Sequence, residues 1–111
     1  MGDKSKLTTL FGFAHSEDQE KRITALRSIR LYQNYAHNEL RQIVNILINS
    51  FQHPSRDVRL AALDTAAILA PQLNRHKLLL IPICERIRDL FGAGDTDVRQ
   101  MADTVYRYLQ C

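Results

Sequence analysis

Cysteine is scarce in this sequence. Its 111 residues include two cysteines, Cys84 and Cys111, and no tryptophan. Cys84 follows an apolar stretch and is predicted to be a small core residue, whereas Cys111 ends the sequence and is predicted to be exposed. Two such cysteines provide no disulfide framework, so the sequence favours a reducing, intracellular compartment, cytoplasmic rather than nuclear.

Long apolar runs are also missing. No stretch approaches the roughly 18 apolar residues of a transmembrane helix, so no membrane span is predicted. The first six residues lack the apolar core of a signal peptide. The net charge of +3 and the pI near 9.1 are mildly basic, which permits nucleic-acid or acidic protein partners without arguing for either.

Catalytic and metal-binding motifs are absent as well. There is no Gly-rich phosphate loop, no His-Glu-x-x-His and no Gly-x-Ser-x-Gly. The four histidines are spread along the chain, at His15, His37, His53 and His76, instead of at the close spacing of zinc ligands. The sequence therefore predicts no enzyme, no metal and no cofactor.

A helical period is what the sequence does contain. Apolar and small residues recur every three or four positions from Val58 to Leu69, which is one face of a helix. Pro71 follows and is expected to close that helix, because proline cannot continue the hydrogen-bond ladder. No stretch shows the alternation of a β-hairpin, so the predicted class is all-α.

The helical pattern is repeated three times. Val58 and Arg59 match Val98 and Arg99 at an offset of 40, and the same register places Phe51 on Phe91. A further copy lies 37 residues upstream, where Arg22 matches Arg59. Each copy carries an N-capping residue at one aligned position, and these residues are Asp18, Ser55 and Asp95.

These copies predict three helical hairpins in a single domain, 1–111. The hairpins span about 6–36, 38–73 and 75–111, with second helices at about 19–35, 56–70 and 96–110. Gly92 is expected to end a helix in a left-handed conformation. Each pair is amphipathic and cannot bury its apolar face alone, so the pairs must stack. The chain is expected to be either a whole domain or a fragment of a longer array.

The segment from His53 to Leu63 resembles the HEAT-repeat signature, which has a short turn, a Val-Arg pair and a small residue three positions after the arginine. The segment from Gly94 to Ala102 resembles it as well, and that from Glu20 to Leu26 less closely. The resemblance implies a right-handed α-solenoid of three antiparallel helix pairs. The family's acidic turn residue is replaced by Ser16, His53 and Ala93, so any ladder of Asp–Arg contacts between repeats would need Asp57 or Asp97.

The candidate binding residues lie on the second helices. The resemblance implies that these helices line a concave surface, where Arg22, Arg59 and Arg99 recur once per repeat. An alternative interpretation pairs those arginines with carboxylates such as Asp57 and Asp97. Arg27 and Arg30 are the stronger candidates for contacting a partner, because the repeat does not require them. Tyr32 aligns with Leu69 and is predicted to be core. Tyr106 and Tyr108 either cap the end of the stack or dock another chain.

Three binding functions remain open at this point and, less favoured because no catalytic motif supports it, an enzyme with a polar pocket of perturbed titratable groups on the concave face. The first is a non-catalytic protein-binding scaffold or adaptor that uses the concave face or the turn edge, with self-association through the C-terminal repeat as a further option. The second is a nucleic-acid-binding repeat domain that uses the basic second helices. The third follows from a weaker resemblance to tubulin-binding (TOG) HEAT domains, in which turn edges contact the cytoskeletal partner. The protein-binding interpretation is favoured, because stacking repeats creates surface without chemistry.

Overall fold

A computed structural model describes residues 4–111, with side chains from Lys6 onward, so the first three residues of the N-terminal segment lie outside it. The described chain contains no strand. Its seven α-helices are α1 (Lys4–Ala14), α2 (Gln19–Ile29), α3 (His37–Phe51), α4 (Arg56–Ile68), α5 (Ala70–Leu73), α6 (Lys77–Asp89) and α7 (Thr96–Tyr108). One 3₁₀ turn, Leu90–Gly92, joins α6 to the loop before α7. The prediction of an all-α fold is confirmed.

The helices pack in two rows. Helices α2, α4 and α7 lie side by side, and α1, α3 and α6 form the other row. Each helix of one row also packs on its sequence neighbour in the other: α1 on α2, α3 on α4, and α6 on α7. The Cα envelope measures 40 × 31 × 17 Å, and the short dimension suits two layers of helices.

The core lies between the rows. It is built mainly from leucine, isoleucine, valine and alanine, and its largest fully buried side chain is Phe51. Phe91, which aligns with Phe51 in the repeat, is instead exposed and packs edge-on against Tyr106, with ring centroids 5.2 Å apart. The third copy departs here because a 3₁₀ turn carries Phe91, whereas Phe51 is the last residue of a continuous α3.

The predicted N-caps are confirmed. The Asp18 carboxylate accepts hydrogen bonds from the backbone N–H groups of Glu20 and Lys21, and the Ser55 hydroxyl accepts one from Val58. Asp95 does the same for the first turn of α7. These side chains satisfy amides that have no partner inside the helix, so the second helices start where the sequence predicts.

Helix α2 ends earlier than predicted, at Ile29 instead of residue 35. The following residues turn away, and Asn34 adopts a positive φ of 59°. Tyr35 is buried in the resulting corner, where its hydroxyl donates to the carbonyl of Ile29 at 2.5 Å. The predicted core residue of this segment, Tyr32, is only half-buried. The helical period continues past Ile29 in the sequence, but tertiary packing of Tyr35 replaces the last turn.

The end of α4 also differs from expectation. The helix stops at Ile68, and Pro71 lies in the first turn of the short helix α5 instead of terminating a longer one. Proline is well placed there because the first helical N–H groups have no intrahelical acceptor. Gln72 of α5 then reaches back to the corner after α2: its Oε1 accepts from Tyr35 N at 2.9 Å, and its Nε2 donates to Tyr32 O at 3.4 Å.

The C-terminal end of α7 is closed by Gln110. Gln110 has a φ of 55°, its N–H donates to the carbonyl of Arg107, and the N–H of Cys111 donates to that of Tyr106. This pair of bonds is a Schellman motif. The expectation for Gly92 is wrong, since no described glycine has a positive φ and Gly92 lies within the 3₁₀ turn.

The two cysteines form a disulfide, which overturns their interpretation as unpaired residues. Cys84 of α6 is bonded to Cys111, with their Cα atoms 5.7 Å apart and a sequence separation of 27. The Schellman motif turns the chain after α7 toward α6 and brings Cys111 into reach. The sequence argument for a reducing compartment loses its basis, because it rested on unpaired thiols. Between residues 4 and 111, no helix is both long and apolar enough to cross a membrane.

Candidate functional site

An open groove of about 600 Å³ lies across the row of second helices. Helices α2 and α4 line most of it, and Met101 contributes from α7. Because α2 and α4 are equivalent helices 37 residues apart, the lining comes in matched positions: Glu20 with Asp57, and Ile23 with Leu60. The groove is therefore a product of the repeat and not of one local motif.

The groove combines an apolar strip with charged flanks. Ile23, Leu60 and Met101 are partly buried and pack against the core while still lining the groove. Charged groups flank them, with three carboxylates and one guanidinium: Glu20, Asp57, Asp64 and Arg27. Such a surface offers both an apolar contact and electrostatic selection to whatever lies on it.

The two arginines singled out near the end of α2 differ in their surroundings. Arg27 is exposed and lines the groove directly. Arg30 is half-buried and forms an ion pair with Asp64 of α4 through a hydrogen bond from its Nη1. Arg30 therefore links the end of α2 to α4 beside the groove. Of the two arginines, Arg27 is the one that a partner can reach.

The repeated arginines hold their own turns. Arg59 Nη1 donates to the carbonyl of His53 at 2.8 Å, and Arg99 Nη1 donates to that of Ala93 at 3.0 Å. Arg22 Nη1 donates to Ser16 O at 3.3 Å. In each case the acceptor lies six residues before the arginine, at the position where the resemblance leads one to expect an acidic side chain. A backbone carbonyl accepts in its place, so neither Asp57 nor Asp97 is the partner of these arginines.

The turns of the first two repeats adjoin each other at His53. Burial, together with the nearby charges of Arg22 and Arg59, lowers the pKa of His53 below its ordinary value. The neutral ring suits its observed contact, in which His53 Nδ1 accepts from the backbone N–H of Ser55 at 3.0 Å. His53 is thus part of the turn that precedes α4.

The link between the second and third repeats is made by Arg56, which the sequence did not single out. Arg56 Nε donates to Asp95 Oδ2 at 2.5 Å, and its Nη2 donates to Asp97. Hydrogen bonds from Val98, Arg56 and Asp97 hold the pKa of Asp95 below its ordinary value, although desolvation opposes them. The sequence indicated this role only through the position of Arg56, which directly follows the N-cap Ser55.

The two C-terminal tyrosines have different settings. Tyr106 is half-buried against Phe91, and its hydroxyl accepts from Arg88 Nη2 at 3.1 Å, which raises the pKa of Arg88. Tyr108 is 59% exposed, and its carbonyl accepts a hydrogen bond from Asn74 Nδ2 at 3.1 Å. Tyr106 therefore joins α6 to α7, whereas Tyr108 remains available to another chain.

Two histidines meet at the start of α3 and α6. The Nδ1 atoms of His37 and His76 lie 3.2 Å apart. In the part of the chain that the structure describes, no group of three or more His, Cys, Asp or Glu side chains is placed to hold a metal ion.

No protein-family model, no curated protein and no solved structure matches this chain.

Proposed function

We propose that the protein is a non-catalytic protein-binding module, built as a HEAT-like, right-handed α-solenoid of three antiparallel helix pairs. The Val-Arg turn segments support the family resemblance, and the two rows of helices support the stacking that it implies. The partner binds on the exposed face of α2, α4 and α7. The observation that carries the proposal is the groove across these helices.

The size of the groove indicates what it can accept. At about 600 Å³ it is comparable with clefts that bind a small molecule or a few side chains, which typically measure about 300–1,000 Å³. An amphipathic helix or an extended segment of a partner can lay two or three side chains in such a groove. The strip of Ile23, Leu60 and Met101 receives the apolar ones, and Arg27 with the three carboxylates selects among charged neighbours.

Nucleic-acid binding is the less favoured candidate on this face. Phosphate contacts require free basic side chains, but Arg22, Arg59 and Arg99 donate to turn carbonyls and Arg30 pairs with Asp64. Three carboxylates and one arginine line the groove, and Arg30 and Arg56 pair with Asp64 and Asp57 from beside it, so no surplus of free basic side chains faces phosphate there. The tubulin-type alternative would use the turn edge. There Arg22, Arg59 and Arg99 donate to the turn carbonyls, so they are less available to a partner.

The experiment is affinity capture with two groove variants and two matched controls. Thr24→Arg places a long side chain in the groove from an exposed position, and Arg27→Glu reverses its charge. The controls make equivalent changes, Asn45→Arg and Arg41→Glu, at exposed positions of α3 in the other row. Partners captured by the wild type are quantified by mass spectrometry after nuclease treatment, and circular dichroism checks that every variant is folded.

We expect one set of proteins to fall about tenfold or more with both groove variants and to remain with both controls, since about 1.4 kcal/mol of lost affinity is tenfold. A set that depends on Arg41 and Asn45 instead would move the site to the other row. Capture that disappears with nuclease and falls steeply with salt would replace the proposal with the nucleic-acid function.

A further inference from the structure

The disulfide borders a second cavity, which plays no part in the proposed groove. This cavity measures about 420 Å³ and lies between α6 and the chain that follows α7. Lys77, Ile81, Cys84 and Arg88 line it from a single stripe of α6, because their spacings of four, three and four residues place them on one helix face. Gln110 and Cys111 close the other side.

The two cysteines differ in their exposure to solvent. Cys84 is 9% exposed on α6, whereas Cys111 is exposed beyond the last turn of α7. A dissolved thiolate therefore reaches the sulfur of Cys111 more easily than that of Cys84. The attacked sulfur keeps the incoming thiol, and the other sulfur leaves as a thiolate.

The surroundings of Cys84 favour its role as the leaving group. Lys77 and Arg88 line the same cavity, seven residues before and four residues after Cys84 on α6, and a nearby cation stabilises the thiolate form of a cysteine. Arg88 is held in position by Tyr106, which accepts a hydrogen bond from its Nη2. One carboxylate, Glu85, also lines the cavity, so the lining side chains carry one net positive charge when Lys77 and Arg88 are set against it. A better-stabilised thiolate leaves faster in thiol–disulfide exchange.

We propose that the Cys84–Cys111 bond is a reversible exchange site for a small-molecule thiol of the glutathione type. The thiolate of that molecule attacks Sγ of Cys111, a new S–S bond forms there, and the old S–S bond breaks with its electron pair on Sγ of Cys84. A second molecule of thiol can release the first as a symmetric disulfide, which leaves both cysteines reduced. Alternatively, the Cys84 thiolate attacks Cys111 again and expels the small thiol.

The fold favours this return reaction. The Schellman motif at Gln110 is made by backbone hydrogen bonds, and these do not depend on the S–S bond. Cys111 therefore stays near Cys84 after the bond is broken, and closure competes as an intramolecular step. This arrangement makes the site a reversible modification site instead of a permanent cross-link.

The test treats the oxidised full chain with reduced glutathione over a concentration series, followed by acid quenching, alkylation of free thiols and peptide mass spectrometry. We expect the intermediate to carry glutathione on Cys111 and the alkyl group on Cys84. The reverse assignment would overturn the proposed direction of attack. A bond that resists glutathione unless the chain is first unfolded would overturn the exchange site altogether.

A matched pair of lysine variants tests the contribution of the cavity. Lys77→Gln removes a cation that lines it, and Lys21→Gln removes an exposed cation of α2. We expect the rate constant of exchange to fall about two- to threefold with Lys77→Gln and to stay unchanged with Lys21→Gln, because only the first change destabilises the leaving thiolate. Equal rates in wild type and both variants would show that the cavity does not assist exchange. Circular dichroism of each variant separates this outcome from a loss of fold.

Discussion

Replacing Tyr35 with phenylalanine tests the corner that replaces the last turn of α2. The Tyr35 hydroxyl is buried and donates to the carbonyl of Ile29, the final residue of that helix. Phenylalanine keeps the ring and its packing but removes this donor. We expect the free energy of unfolding to fall by about 1 kcal/mol, the usual net contribution of one intramolecular hydrogen bond. In a chain of this length that corresponds to a melting temperature lower by roughly 5 °C.

The same variant carries a pH signature. Burial raises the pKa of Tyr35 above its ordinary value of 10.0, with smaller contributions from Tyr32 and Glu39. The folded state therefore keeps its proton above pH 10 while the unfolded state loses it, so the unfolded state gains stability as the pH rises. Above pH 10 the wild type should therefore lose stability more steeply with rising pH than Tyr35→Phe. At neutral pH and below, Tyr35 does not titrate and the two proteins should show the same pH dependence.

Thermal unfolding followed by circular dichroism at pH 7 and between pH 9 and 11 measures both effects. Tyr108→Phe is the matched control, because its ring is 59% exposed, and it should melt like the wild type at every pH. Equal melting temperatures for Tyr35→Phe and the wild type at pH 7, or equal losses above pH 10, would refute the buried hydrogen bond at the end of α2.

Three further substitutions test other parts of the fold. Gln72→Ala removes both side-chain hydrogen bonds to the segment after α2 and should lower the free energy of unfolding, measured by urea denaturation, by about 1–2 kcal/mol. The control is Gln52→Ala at an exposed position, and a similar loss there would mean that these hydrogen bonds are not responsible. Gln110→Gly removes the steric cost of a left-handed backbone at a residue with a side chain, and it should raise stability by about 0.5–1 kcal/mol and the melting temperature by a few degrees. Asn34→Gly should give a smaller gain, because asparagine tolerates that conformation. A loss of stability in Gln110→Gly would contradict the observed φ. Thr65→Val removes a fully buried hydroxyl within hydrogen-bond distance of Leu26 O and Ala61 O, and the urea midpoint should fall by the equivalent of about 1 kcal/mol with an unchanged m-value.

Local signals in the sequence were sufficient for the second-helix starts. Asp18, Ser55 and Asp95 cap those helices as predicted, because capping depends on a side chain and the amides two or three residues later. The end of α2 could not be predicted, since the residues after Ile29 keep a helical period in the sequence, whereas in the structure Tyr35 bonds to Ile29 and Gln72 and the chain leaves the helix. Helix ends are less determined locally than helix starts in this chain.

The sequence named some of the residues that line the groove. The second helices were named from the repeat, and Arg27 was named because the repeat does not require an arginine there; both line the groove. The roles of Arg22, Arg59 and Arg99 could not be assigned from the sequence, because their acceptors are backbone carbonyls and a sequence pattern shows only side chains. The Cys84–Cys111 pair was missed for a similar reason: it depends on the backbone conformation of Gln110, which carries no residue-type signal.

Hydrogen exchange on the captured complex tests the central claim most directly. Amide exchange is measured by mass spectrometry on the free protein and on the protein bound to the partner that the Arg27→Glu variant fails to capture. The proposed function predicts added protection in peptides from the groove-lining parts of α2 and α4 and around Met101 in α7, with the exposed face of α3 unchanged. Protection centred on α3, or confined to the turns before the second helices, would contradict binding in the groove.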